Sequence, residues 1–422
     1  MDDSALLPAD LDRHGTTSHE VYTAGFYDGP WDFSVRSLLG KVIRGGADVG
    51  EVLATIATVA PGDRDGWFAS WIALGERVAG LATAAADRGH HVSAAHAHLR
   101  AANYFGTALN AIDGLDGDTA RLLPTFRAHR RSWDGFVAST RWPVERLDIP
   151  YEDTTLPGWL FRPDTSDTRR PALVVNNGSD GTLSGCWCEG AEAALERGYL
   201  VLMFDGPGQQ SMLFERNVPF RPDWERVLTP VVDVLVSRAD VDGSRLALYG
   251  VSQAGYWVPR ALAFEHRFAA AVADGGVVDV ARSWFEHLPE PLRELYRSGD
   301  RTRFDETMTA AMASPEAKAA REIWAFRARP YGATGYSAVL DAVSQYTVRE
   351  VADRITTPLY ITDPDGEQFF PGQPAELAAL VPGATLARFT QDEGASYHCQ
   401  PMARALTEQR MFDWLDERLS PR

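Results

Sequence analysis

The fold is decided by a ten-residue stretch, Leu246-Ala247-Leu248-Tyr249-Gly250-Val251-Ser252-Gln253-Ala254-Gly255. It joins an apolar run of strand length to small residues and then to a helical pattern. A sharp strand-to-helix turn that exposes a serine hydroxyl brings neighbouring backbone close, so it needs small residues two positions before and after the serine. Gly250 and Ala254 meet this need. The stretch therefore predicts a strand, a tight turn with Ser252 at its tip, and a helix.

Outward from this turn, short apolar runs alternate with segments long enough for helices, beginning at about residue 141. This alternation predicts a mostly parallel sheet that is covered by helices on both faces. One charged and aromatic interval near 282–343 predicts a helical insertion above the carboxyl edge of the sheet. The predicted strands are 147–151, 159–161, 172–175, 199–204, 246–249, 269–273, 359–362 and 385–389.

The region before the sheet has a helical pattern without strand-like alternation. We therefore expect a helical N-terminal cap domain at residues 1–140 and a catalytic domain at 141–422. Aromatic side chains recur at helical spacing, among them Tyr104 in the first region and Trp284 in the insertion. Such rings are usually core residues, but our hypothesis is that the cap covers the site and that some of these rings face the substrate.

Composition excludes several classes of partner. The chain has 422 residues and a formal charge of −17, so its field repels nucleic acid and anionic membranes. No apolar segment approaches the roughly 20 residues that span a bilayer. The odd set Cys186, Cys188 and Cys399 does not suit a disulfide framework or a zinc site. We expect a cytoplasmic protein with no cofactor or metal and with a small-molecule substrate.

A histidine that activates a serine in such a sheet follows the last strand, after the acid in chain order. His398 is the one histidine after His287 and fits this position. The acid is expected in the loop after the strand 359–362. We choose Asp363, at the strand end, where a carboxylate can be held rigidly; Glu367, which has a more usual loop offset, is the main rival, and Asp365 is a weaker one.

Two backbone amides are expected to bind the oxyanion that forms when a serine attacks a carbonyl. One is the N–H of Ser179, in the glycine-rich turn that ends the buried strand 172–175. The other is the N–H of Gln253, directly after Ser252. The turn Asp205-Gly206-Pro207-Gly208-Gln209 is expected to support this edge of the sheet without chemistry of its own.

With these motifs placed, the chain resembles the α/β-hydrolase superfamily, in the branch of the fungal yellowish-green-pigment polyketide hydrolases and 2,6-dihydroxypseudooxynicotine hydrolase. The likeness covers nearly the whole chain. It is most specific in the segment Asp363-Pro364…Glu367-Gln368-Phe369…Pro371-Gly372-Gln373, although Gly366 stands where the family pattern would have an acidic residue.

The resemblance implies the α/β-hydrolase fold, a mostly parallel eight-stranded sheet with helices on both faces, preceded by a helical cap. It also implies a homodimer and a cofactor-independent hydrolase that cleaves a carbon–carbon bond in a polyketide-like or aromatic ketone. Carboxylester hydrolysis and acyl transfer by the same groups remain alternatives. A non-catalytic ligand-binding protein is a third, which the intact serine, acid and histidine set disfavours.

Overall fold

The computed structural model describes residues 21–115 and 118–420. Within them, eight strands form one sheet in the spatial order β1-β2-β4-β3-β5-β6-β7-β8. All eight predicted strands are present, and most extend beyond their predicted bounds. They are β1 (Val144–Tyr151), β2 (Thr154–Phe161), β3 (Arg170–Asn176), β4 (Leu200–Phe204), β5 (Val241–Val251), β6 (Ala270–Asp274), β7 (Leu359–Pro364) and β8 (Thr385–Phe389).

The sheet is mostly parallel, as predicted. Strand β2 pairs antiparallel with both β1 and β4, whereas β3 pairs parallel with β4 and β5, and the remaining pairs from β5 to β8 are parallel. The carboxyl ends of parallel strands open at one edge, where such sheets bind their ligands. The loops after β3, β5, β7 and β8 therefore meet at the edge that carries the predicted site.

In residues 21–115 and 118–139, six α-helices precede the sheet, and the last of them ends shortly before β1. They enclose a core of their own that includes Trp67, Trp71 and Tyr104, all buried. Residues 1–20 of the expected cap domain lie outside the described residues, and its independence as a domain stays a prediction. The helices are α1 (Val21–Ala24), α2 (Pro30–Gly40), α3 (Val49–Ile56), α4 (Arg64–Ala86), α5 (His91–Leu109) and α6 (Asp118–Ser139).

The helices that follow cover both faces of the sheet. Trp257 and Leu228 are buried against one face, and Trp187 and Phe412 are buried against the other. Both faces are thus removed from water, which explains why the central strands are apolar throughout. These helices are α7 (Leu183–Cys186), α8 (Glu192–Glu196), α9 (Gln210–Phe214), α10 (Glu225–Val236) and α11 (Ala254–Leu262) before β6.

Between β6 and β7 the chain forms five helices, in the interval where the sequence predicts a helical insertion. They are α12 (Arg282–Phe285), α13 (Glu290–Arg297), α14 (Arg301–Met312), α15 (Lys318–Ala328) and α16 (Tyr336–Val343). We call this segment the lid. Two more helices, α17 (Gln373–Leu380) and α18 (Arg404–Leu419), complete the fold. In residues 21–115 and 118–420, no helix combines the length and apolar character needed to cross a membrane.

Candidate active site

Ser252 lies at the tip of the turn between β5 and α11. Its φ of +58° places it in the left-handed region, which costs free energy for a residue with a side chain. Glycines make the turn possible: a Cβ on Gly250 would lie 2.5 Å from Val258 Cγ2, and one on Gly255 would lie 1.7 Å from the Gly275 carbonyl oxygen. The turn is therefore fixed by steric necessity.

His398 connects Ser252 to a carboxylate. Its Nε2 lies 2.9 Å from the Ser252 Oγ, and its Nδ1 lies 2.8 Å from Glu367 Oε2. The histidine is 2% exposed, and its backbone N–H donates to Gln368 Oε1 over 2.9 Å. The ring of Phe369 packs against the imidazole with 4.9 Å between centroids. A buried imidazole held in this way can take a proton from the serine hydroxyl.

The choice of Asp363 as the acid is wrong, because the structure places Glu367 against His398. Strand β7 continues to Pro364, so Asp363 is still part of the strand, opposite Arg388 of β8. Its Oδ2 lies 2.9 Å from Arg388 Nη1. Asp365 is exposed and accepts from the Gln391 N–H over 3.2 Å. The rival Glu367 is the residue whose loop position brings its side chain back toward the histidine.

Glu367 is held by more than the histidine. Its Oε1 accepts hydrogen bonds from the backbone N–H groups of Phe369 and Phe370, over 2.9 and 3.1 Å. Burial raises the pKa of Glu367, but the charge and hydrogen bond of His398 and these amides outweigh burial and lower it. Burial lowers the pKa of His398, and the charge of Glu367 reverses this and raises it. The pair is thus stabilised in its ionic form.

The loop after β3 lies directly against the serine. A Cβ on Gly178 would be 2.9 Å from the Val251 carbonyl oxygen and 3.0 Å from Ser252 Cβ, so glycine permits an approach that another residue would disturb. The following residue, Ser179, and the residue after the nucleophile, Gln253, both line one cavity. Among the described residues, neither of their backbone N–H groups donates to a protein acceptor. Both amides are therefore free to bind an oxyanion, as the sequence predicts; that role stays a prediction.

The turn after β4 supports this loop. Gln209 Nε2 donates to the carbonyl oxygens of Asn177 and Gly178, over 2.7 and 3.0 Å. Asp205 accepts from the Ser211 hydroxyl and from Arg130 of α6. The turn thus fixes the position of Gly178 and ties the N-terminal helices to the site, which agrees with the supporting role expected of it.

A buried ion pair behind the serine was not anticipated from the sequence. The backbone N–H of Ser252 donates to the Asp274 carbonyl oxygen over 2.7 Å. Arg404 Nη1 lies 3.2 Å from Asp274 Oδ2 and donates to the Cys399 carbonyl oxygen over 2.9 Å. Arg404 therefore links the serine turn to the loop of His398. No local motif around Arg404 signals this role, because its partners are distant in the chain.

A cavity whose lining includes Gln253 opens beside the serine turn. Helices α5 and α6, the loop after β3 and the lid all contribute to its wall. Trp284 lines it, and its contact with a substrate stays a prediction. Tyr104 does not line it; its hydroxyl donates to Glu51 inside the helical core. The aromatic lining consists of Phe214, Phe220, Trp284, Phe326 and Tyr331. In the described part of the chain, no three His, Cys, Asp or Glu side chains are grouped to hold a metal ion.

The sheet, the strained serine turn and the hydrogen-bonded histidine define the class of the α/β-hydrolases. Comparisons with known proteins agree. A model of the Prolyl oligopeptidase family matches residues 191–321, which include the serine turn. The crystal structure of 2,6-dihydroxy-pseudo-oxynicotine hydrolase superposes with a TM-score of 0.67 at 20% identity, over 90% of this chain and 95% of that one. This likeness shows a common fold.

Sequence relatives narrow the assignment. Hydrolase LUC6 of Fusarium sp is 30% identical over 420 residues, which are 94% of this chain and 98% of the relative. The 20-hydroxy-prefusarin hydrolase FUS2 of Gibberella moniliformis is 33% identical over 279 residues, 64% of this chain and 65% of the relative. The chain belongs to the α/β-hydrolase family of these fungal enzymes, and it is a hydrolase. The family predicted from the sequence is confirmed.

Proposed function

We propose that this hydrolase removes an acyl group from a polyketide-like or aromatic ketone by breaking a carbon–carbon bond. The observation that carries the proposal is the position of His398, between Ser252 and Glu367, next to an aromatic-lined cavity. A flat, conjugated substrate suits such a lining. The relative named for 20-hydroxy-prefusarin supports a substrate from secondary metabolism.

In the proposed mechanism, His398 takes the hydroxyl proton of Ser252 while the Oγ attacks the ketone carbonyl carbon. The N–H groups of Ser179 and Gln253 bind the resulting oxyanion. Glu367 holds the imidazole in the correct tautomer and stabilises its cation. When the carbonyl re-forms, the carbon–carbon bond breaks, and its electron pair leaves on the departing carbon as an enolate. Water, deprotonated by His398, then hydrolyses the acyl-serine.

The departing enolate needs a proton, which the His398 cation can supply. Asp180 offers a second source, because it follows Ser179 and lines the same cavity. Its Oδ1 accepts from the Ser179 hydroxyl over 3.0 Å. Although the side chain is accessible through the cavity, the surrounding protein raises the pKa of Asp180 by desolvation. A raised pKa increases the protonated fraction of this carboxyl at a given pH, and the protonated carboxyl can act as an acid.

The test combines covalent labelling with product analysis. We expect a fluorophosphonate to label Ser252, and Ser252→Ala to lose labelling and at least about 10⁴-fold of kcat. Mass spectrometry should detect a carboxylic acid and a shortened ketone from a panel of aryl β-diketones. Turnover of matched aryl esters alone would replace this proposal by the esterase alternative. The absence of both labelling and turnover would favour a non-catalytic ligand-binding protein.

We also propose that the chain acts as a cytoplasmic homodimer that uses the N-terminal helices. Large apolar side chains are exposed there, including Val49, Leu81 and Val92, and an interface between two copies would remove them from water. Light scattering after size-exclusion chromatography should give twice the monomer mass. Leu81→Glu should then shift the mass to that of a monomer, and a monomeric wild type would contradict the proposal.

A further inference from the structure

Arg327 differs from the other arginines near the cavity in its bonding partners. Arg327, near the end of α15, lines the cavity and donates from Nη2 to the Ser283 hydroxyl over 2.9 Å. Its guanidinium lies over the ring of Trp284, 4.6 Å from the centroid. No other hydrogen bond joins this side chain to the described residues. Most of its five N–H donors are therefore available to something in the cavity.

Neighbouring arginines are already neutralised. Arg329, which lines the same cavity, forms an ion pair with Asp113, and Arg64 pairs with Glu322 of α15 over 2.9 Å. By contrast, no carboxylate of residues 21–115 or 118–420 lies within ion-pair distance of Arg327. Burial lowers the pKa of Arg327, but a guanidinium remains charged at neutral pH. A partly buried guanidinium without a direct ion-pair partner is destabilising unless a ligand supplies hydrogen-bond acceptors.

The position of Arg327 relative to the serine is given by a chain of contacts. Tyr331 donates its hydroxyl to Gln253 Oε1 over 3.5 Å, next to the nucleophile. The ring of Trp284 lies 5.7 Å from that of Tyr331 and beneath Arg327. The two rings thus form a wall that runs from the serine turn to the guanidinium.

We propose that Arg327 selects substrates that carry an anionic oxygen, as a carboxylate or an ionised enol or phenol, at the end distant from the bond that is cleaved. The inference rests on the proposed function, since it places the substrate in this cavity. The acyl carbonyl would lie at Ser252, the conjugated part along Tyr331 and Trp284, and the anion at Arg327. A guanidinium recognises a carboxylate through two parallel N–H donors and a single ionised oxygen through a charge-assisted hydrogen bond.

Asp180 also lines this cavity. Asp180 is bonded to the Ser179 hydroxyl rather than to Arg327. Its charge acts on the guanidinium at longer range and raises the pKa of Arg327, although burial outweighs this and lowers that pKa. The N–H donors of Arg327 that do not bond to Ser283 are therefore available to a ligand in the cavity.

Binding to catalytically inactive protein tests the inference separately from the reaction. Isothermal titration calorimetry would compare 3-benzoylpropionate with its neutral amide on Ser252→Ala. We expect the carboxylate to bind about 10- to 100-fold more tightly than the amide, in line with a charge-assisted hydrogen bond. Adding Arg327→Met should abolish this preference. Adding Arg303→Met, which removes an exposed lid arginine, should preserve it.

Each other result overturns the inference. Equal binding of the two probes, a preference that survives Arg327→Met, or no carboxylate binding at millimolar concentration would show that Arg327 does not select anions. Because Ser252→Ala performs no chemistry, these results do not depend on which bond the enzyme cleaves. Failure of diketone cleavage with an intact anion preference would remove the proposed reaction and leave the binding role standing.

Discussion

The turn that carries Ser252 and the loop that carries Glu367 both follow buried parallel strands, but different forces hold them. At the turn, a side chain on Gly250 or Gly255 would collide with neighbouring atoms, so the conformation is set by space. In the loop, the carboxylate of Glu367 is set by hydrogen bonds from two backbone amides and His398. A steric requirement can be recognised in the local sequence, because it demands small residues at fixed positions. A requirement for a hydrogen-bonding carboxylate can be met from several positions in the loop.

The largest expected effect distinguishes Glu367 from Asp363, the acid chosen from the sequence. In Glu367→Gln the amide oxygen can keep the bonds from Phe369 and Phe370, and its NH₂ then faces His398 Nδ1. This stabilises the wrong imidazole tautomer, so the rate of fluorophosphonate labelling of Ser252 should fall about 10³- to 10⁴-fold. Asp363→Asn should change it less than about threefold, since Asp363 contacts Arg388 instead.

The two variants control for each other, because each replaces a buried carboxylate by its amide. Thermal unfolding should show both folded at the labelling temperature. A greater loss of labelling in Asp363→Asn than in Glu367→Gln would reverse the assignment of the acid.

A smaller effect is expected when a side chain is added to a glycine of the serine turn. Gly255→Ala places a Cβ 1.7 Å from the Gly275 carbonyl oxygen, and backbone on both sides must move. We expect a loss of about 3 kcal/mol or more in the free energy of unfolding, measured with urea. In Gly80→Ala, on the exposed face of α4, the new Cβ meets no atom within 4 Å. That variant should gain about 0.5–1 kcal/mol, and equal losses in both would contradict the steric argument.

The same difference explains what the sequence could predict. Apolar or alternating runs located all eight strands, and central strands such as β4 and β6 are apolar along their length because both of their faces are buried. Ser252 could be found because its turn demands small residues, and His398 because chain order leaves one candidate. Gly178 belongs with them, since a side chain there would disturb its approach to Ser252.

Features that depend on where a side chain points were harder to predict. Asp363 was preferred for its place at the strand end, but β7 is two residues longer than predicted, and the alternation of the pleat directs Asp363 to Arg388. Tyr104 has the spacing of a possible cavity residue, yet it is buried in the helical core. Arg404 gave no signal, because its bonds to Asp274 and Cys399 join segments that only the fold brings together.

The smallest expected effect is a shift in the pH dependence of Ser252 labelling. It tests whether the charge of Glu367 acts on His398. Burial lowers the pKa of His398, but Glu367 raises it above the usual value of 6.5. Because the imidazole must be neutral to accept the serine proton, labelling of Ser252 should decline as pH falls through a midpoint above about 6.5. In Glu367→Gln the burial remains and the charge is lost, so the midpoint of the residual labelling should move to lower pH. Asp363→Asn should leave it in place, and an unchanged midpoint in Glu367→Gln would mean that His398 is not charge-coupled to Glu367.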